Sequence, residues 1–181
     1  MSVIDDQKKN VCLLEYFYKD EEVNLTLFGS EYSGTFIGAR RGIVVVQDPF
    51  ELNFIAARSV SIVTLAENRN NNCNKIQVNC QDPVPIFIQL LKSLINRPVL
   101  IQIGTTFTDG VVSKVSASKK QLTLLSSDVQ CTNTILISIE SIAVILVPLK
   151  NIKGIIFGDP VTLTLTFHNN TTLDIPVDVF Q

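Results

Sequence analysis

Two short basic turns, Arg40-Arg41-Gly42 and Lys119-Lys120, each fall between two apolar, strand-like stretches. Paired cations at a turn tip suit phosphate or an acidic partner, and Arg40, Arg41, Lys119 and Lys120 are the binding candidates of the chain. The competing reading is ordinary hairpin solvation, because no aromatic residue interleaves with these cations to stack bases as single-strand binders require. Phe28, Tyr32, Phe36, Phe50 and Phe54 recur at strand spacing and read as core. Catalysis needs a nucleophile, a base or a metal in convergent positions. The single histidine, His168, sits in a turn-like His-Asn-Asn context and reads as a solvated turn residue. No GxSxG, Walker, GxGxxG, HExxH or CxxC pattern occurs, so no catalytic residue is assigned and the chain is not expected to be an enzyme. The acidic run Asp20-Glu21-Glu22 has the donor type for a hard cation but reads as a solvated face. No metal and no cofactor are expected. Among four cysteines, Cys12 and Cys131 lie in apolar stretches, whereas Cys73 and Cys80 lie in a polar segment as candidate cross-linking thiols.

The elements that must carry these residues come in two copies. Val23-x-Leu25-x-Leu27 with Gly34 is matched 76 positions later by Val99-x-Ile101-x-Ile103 with Gly110. After a three-residue difference in the following turn, Ile43-Val-Val-Val46 matches Leu122-Thr-Leu-Leu125, and Arg58-Ser-Val-Ser-Ile62 matches Glu140-Ser-Ile-Ala-Val144. Between the copies, Glu67-Asn-Arg-Asn-Asn-Asn-Cys-Asn-Lys75 has little to bury and reads as a linker. The domains expected are therefore 1–66, a first helix and small β-barrel; 67–84, an Asn-rich linker; 85–150, a second helix and barrel; and 151–181, a C-terminal β-hairpin.

In the second copy, Asp82 or a neighbour caps a helix with proline at its start, and Ile86, Phe87, Leu90, Leu91, Leu94 and Ile95 recur at three- and four-residue steps. Val11, Leu14, Phe17 and Tyr18 repeat that step less cleanly in the first. Period-two strands are predicted at 23–27, 32–37, 43–46, 54–56 and 60–65, and again at 99–103, 110–115, 121–125, 134–138 and 142–147. Gly34 and Gly110 fall inside strand patterns, where glycine permits the bend that curls a long second strand into a small closed barrel. The alternating threonines of 161–167, followed by 172–180, predict a half-exposed hairpin that either pairs with a barrel edge or offers its own edge to a neighbour.

The 181 residues are 46% hydrophobic and 18% charged with a net charge of −2, and mean hydropathy is +0.30. Such a chain offsets the entropy of ordering by burial, and it lacks the positive field that drives non-specific nucleic-acid binding. The acids and amides of the first ten residues predict no secretory signal, and hence cytoplasmic synthesis. Ser138, Glu140 and Ser141 interrupt the longest apolar run, so no membrane span is expected.

A helix followed by five strands, the second bent at glycine, resembles the Sm-like barrel, each half of the chain covering about 60 residues of that pattern. Sm-like RNA binders carry an Asp and an Asn after the second strand and a short basic glycine motif near the fourth. At the matching places stand Arg40-Arg41-Gly42 and Ser116-Ala-Ser-Lys-Lys120, without that pair. Leu91-Lys-Ser-Leu-Ile95 ahead of a glycine-containing strand, with the closing run Ile137-Ser-Ile-Glu-Ser-Ile-Ala-Val144, is also similar to proteins associated with the spore coat or exosporium of spore-forming firmicutes. That resemblance implies a role in sporulation and deposition on the spore surface. The class expected is all-β, two tandem Sm-like/SH3-like small barrels plus a C-terminal hairpin. Its function is expected to be that of a non-enzymatic structural protein, self-assembling into oligomers or joining other coat-type proteins by strand pairing. The alternative is an Sm-like nucleic-acid-binding module acting through the basic tips.

Overall fold

The structure, a computed structural model, describes residues 16–18, 20–65, 75–77, 81–128, 131–158, 162–168 and 170–176. The elements in chain order are β1 (Tyr16–Tyr18), β2 (Glu22–Leu27), β3 (Ser30–Arg40), β4 (Ile43–Gln47), β5 (Glu51–Ala56), β6 (Ile62–Leu65) and β7 (Lys75–Gln77). Then follow α1 (Val84–Ser93), β8 (Pro98–Ile103), β9 (Thr106–Ser116), β10 (Gln121–Asp128), β11 (Cys131–Ser138), β12 (Val144–Pro148), β13 (Ile152–Gly158), β14 (Thr162–Phe167) and β15 (Thr172–Pro176). The protein is mostly β, as expected.

Ten strands form one antiparallel sheet in the order β11-β10-β9-β8-β12-β5-β4-β3-β2-β6. Its two halves have one internal order. In the first, β6 pairs with β2, which continues through β3 and β4 to β5; in the second, β12 pairs with β8, which continues through β9 and β10 to β11. The duplication reaches individual backbone features. Ile37 is the extra residue of a bulge between β3 and β4, and Ser113, 76 positions later, is the extra residue between β9 and β10. Such bulges let an eleven-residue strand turn sharply. Positive φ recurs at Asp20 and Asn96, at Phe28 and Gly104, and at the tip residues Arg41 and Lys120. The Asp20 amide donates to Phe36 O, and the Asn96 amide donates to Val112 O.

Three expectations are corrected. The halves are not closed barrels: among the described residues no ladder joins β5 to β6 or β11 to β12. Single 3-10 turns at Ala57–Ser59 and Ile139–Ser141 lead the chain from the β5 or β11 side of its unit to the outer edge of β2 or β8. The free edge of β5 is then taken by β12, which makes the two units one sheet. The first helix does not extend to Tyr18, because Tyr16–Tyr18 is a strand paired with Lys75–Gln77 inside the expected linker; aromatic residues favour such an extended ladder. Val11 and Leu14 lie outside the described residues. The C-terminal part is a three-stranded sheet in which β13 joins the expected pair, not a two-stranded hairpin. Adding β13 gives the pair the third strand that a lone hairpin lacks in water.

The helix lies where its spacing placed it. The Val84 amide donates to Asp82 Oδ1 at 3.1 Å, and Val84, Ile86, Phe87, Leu90 and Leu91 are buried while Lys92 faces water. It packs between β9 and β15. One set of buried residues runs through both units and on to Leu165 and Phe167, so the tandem halves share one core. No helix among the described residues is long and apolar enough to cross a membrane.

Candidate functional site

The basic tips prove unequal. Arg40 ends β3 opposite Ile43, and Arg41 is exposed at φ 42. Beside it Gly42 has φ 77 and lies against the backbone of Gln81, whose oxygen would stand 1.9 Å from an added Cβ. This tip is therefore roofed by the chain entering α1. At the other tip the Lys119 amide donates to Ser116 Oγ, while Lys120 Nζ donates to the Glu140 carboxylate. That hydrogen bond, then the Glu140 charge and finally that of Asp82, raise the Lys120 pKa. Arg58 Nη2 donates to Glu140 O at 2.9 Å, and Arg58 Nη1 stands 3.9 Å from Asp82 Oδ1. Carboxylates are thus interspersed among the cations at this end of the sheet, and Lys120 already has an anionic partner. Arg41 and Lys119 stay exposed.

The other chemistry-bearing residues do not converge. His168 is exposed, its Nε2 2.9 Å from Lys150 O. Asp20 and Glu22 line a cleft of about 520 Å³ with Thr35, Gln47, Asp48 and Pro49. The carboxylates of Glu22 and Asp48 serve the fold: Glu22 Oε1 accepts from Thr35 Oγ1 at 2.7 Å. Asp48 Oδ1 accepts from the Phe50 and Glu51 amides, and Asp48 Oδ2 accepts from Asn53 Nδ2. No group of three His, Cys, Asp or Glu residues that could hold a metal occurs among the described residues. Cys12, Cys73 and Cys80 lie outside the described residues, and Cys131 is the first residue of β11.

Of the aromatic set, Tyr32, Phe36 and Phe54 are buried, whereas Phe28 and Phe50 are exposed. Tyr32 has a specific part at the joint between units. Its hydroxyl donates to Gln102 Oε1, and Gln102 Nε2 donates to Gly104 O at 2.9 Å and Ser30 Oγ at 3.3 Å. A fully buried amide of the second unit is thereby satisfied in part by Tyr32 and Ser30 of the first. Burial, and then the charge of Glu51, push the Tyr32 pKa up to about 12. Since the folded pKa lies above the unfolded one, this phenol's contribution to stability is complete below about pH 10 and is lost as pH rises toward 12. Phenolate absorbance in an alkaline titration is expected to show one of the three tyrosines titrating late, and Tyr32→Phe is expected to remove that step.

The ten-stranded sheet has two edges. Among the described strands, β6 and β11 are the ends of the ten-stranded sheet, each with a neighbour on one side only. Both carry large apolar side chains in water, Ile62 at 56% and Leu136 at 62% exposure. The C-terminal threonine strands, expected either to pair with a barrel edge or to offer their own edge to a neighbour, lie in a separate three-stranded sheet with β13. Those strands pair with each other, bury Leu165 and Phe167, and hold Phe167 beneath the Arg97 guanidinium, 5.2 Å from the ring centroid. The repeat itself implies the two ends of the ten-stranded sheet, since duplicated units that join once leave one unused edge at each end.

The chain matches no family model, and no curated protein is significantly similar to it.

Proposed function

We propose that this chain is a non-enzymatic structural protein that self-associates by strand pairing, in keeping with its resemblance to spore coat and exosporium-associated proteins. Each half is read as an Sm-like/SH3-like unit whose sheet curls without closing; the repeated strand order and the repeated bulges at Ile37 and Ser113 support this reading. The observation that carries the function is the pair of edges, β6 and β11, each without a second strand neighbour among the described residues, with Ile62 and Leu136 exposed on them. An open edge bearing apolar side chains is a template for another strand. The nucleic-acid alternative has less support, because Glu140 answers Lys120 and Gln81 roofs the Arg41-Gly42 turn.

Light scattering over a concentration series, with and without an RNA pool at low salt, separates the two. Assembly that rises with concentration and ignores RNA is expected. A fixed mass that shifts on adding RNA, and reverts when Arg41 and Lys119 are neutralised, would instead establish the binding module.

A further inference from the structure

The joint inside the chain specifies how the outer edges are used. Across it, β5 and β12 pair with Ile55 opposite Val144, Phe54 opposite Ile145 and Asn53 opposite Leu146. The 3-10 turns at Ala57–Ser59 and Ile139–Ser141 are 82 residues apart. By that offset Ile137, Leu136 and Ile135 of β11 correspond to Ile55, Phe54 and Asn53, and Ile62, Val63 and Thr64 of β6 correspond to Val144, Ile145 and Leu146. The corresponding positions differ in exposure as a used and an unused joint should. Phe54 and Val144 are 0% exposed within the joint, whereas Leu136 and Ile62 are 62% and 56% exposed at the ends.

We propose that a second copy of this chain docks on these edges, β11 of one copy pairing antiparallel with β6 of the next in the register Ile137–Ile62, Leu136–Val63 and Ile135–Thr64. The proposal rests on the self-assembly reading and adds its contact, polarity and register. The interface repeats the internal joint: it is continuous with the sheet and uses two different surfaces, so each copy keeps one edge free for the next. Such head-to-tail contacts build a ring if the rotation closes and a filament if it does not.

Disulfide trapping reads the register directly. In a background with Cys12, Cys73, Cys80 and Cys131 replaced by serine, Val63→Cys is combined with Leu136→Cys, and separately Thr64→Cys with Ile135→Cys. Directly opposed Cβ atoms in an antiparallel pair stand about 4.5–5.5 Å apart, and adjacent pairs alternate between hydrogen-bonded and closer non-hydrogen-bonded types, so one of the two combinations has the closer geometry. Oxidation is expected to give a ladder of covalent multimers of the 20.0 kDa chain in at least one of them. Each single variant alone is expected to give no cross-link, and a mixture of Val63→Cys with Leu136→Cys proteins to give covalent dimer and nothing larger. Cross-linking by a single variant would overturn the polarity in favour of a symmetric β6–β6 or β11–β11 contact. Preferential trapping of Val63→Cys with Thr134→Cys, two residues out of register, would overturn the register. Undiminished assembly with no trapping in either combination would overturn the contact while leaving self-association standing. A background protein that stays at 20.0 kDa at every concentration would remove the self-assembly reading, and this contact with it.

Discussion

Phe54→Ala is expected to lower the free energy of unfolding by about 3–5 kcal/mol, the usual cost of emptying a fully buried phenylalanine site. Phe54 lies in β5 between Val45 of β4 and Ile145 of β12, and it is fully buried. The cavity would therefore open at the seam that joins the two units. Because one apolar core runs through both halves, unfolding in urea is expected to remain a single transition at a lower midpoint. Two separated transitions would show that the units fold independently and that the joint is only a contact between finished domains. A loss below about 1 kcal/mol would mean that the seam repacks around the smaller residue.

Gly42→Val is the second large effect, with an expected loss of about 3 kcal/mol or more. Two costs combine there. The backbone at φ 77 is costly for any residue with a Cβ and most so for a β-branched one, roughly 1–3 kcal/mol. The Cβ would also stand 1.9 Å from the Gln81 backbone oxygen, so the segment entering α1 must move. Gly29 separates the two costs: its φ is 83, yet nothing lies within 4 Å of its added Cβ. Gly29→Ala is therefore expected to lose only about 1 kcal/mol. Equal losses in urea midpoint for Gly29→Ala and Gly42→Ala would show that the approach of Gln81 to Gly42 has no energetic weight.

Much of this architecture was legible in the residues because it depends on local pattern. Apolar residues at 23, 25 and 27 and at 99 and 101 alternate and are buried as such, and the helical stripe from Ile86 to Leu91 buries the side its spacing marks. The 76-residue offset marked equivalent strands, and the ladders repeat it down to the bulges at Ile37 and Ser113. What was not legible is non-local. Nothing within Glu51–Ala56 names Val144–Pro148 as its neighbour, so five strands per unit suggested closure where the chain forms an open sheet. A trace existed in the pattern of burial, since Leu52 to Ala56 and Val144 to Val147 are uninterrupted buried runs, the mark of strands covered on both faces. Their counterparts at the ends, Ile135-Leu136 and Ile62-Val63-Thr64, are less apolar in context and partly in water. The basic tips were found by spacing alone, but their pairing was not, because Glu140 and Asp82 reach Lys120 and Arg58 only once the two units are joined. The raised pKa of Tyr32 comes from burial and then from the charge of Glu51, neither of which its neighbours in the sequence show.

If the outer edges of the sheet are its working surfaces, blocking them must abolish assembly. The most direct test is the mass in solution, by sedimentation equilibrium, of the wild-type chain beside the double variant Ile62→Lys with Leu136→Lys. Both substitutions lie at exposed edge positions, and edge lysines are a known device against strand addition. The wild type is expected to form assemblies larger than the 20.0 kDa chain that grow with concentration or reach a closed ring, and the variant to remain folded and monomeric. A wild type that stays monomeric throughout, or a variant that assembles as the wild type does, would contradict the account.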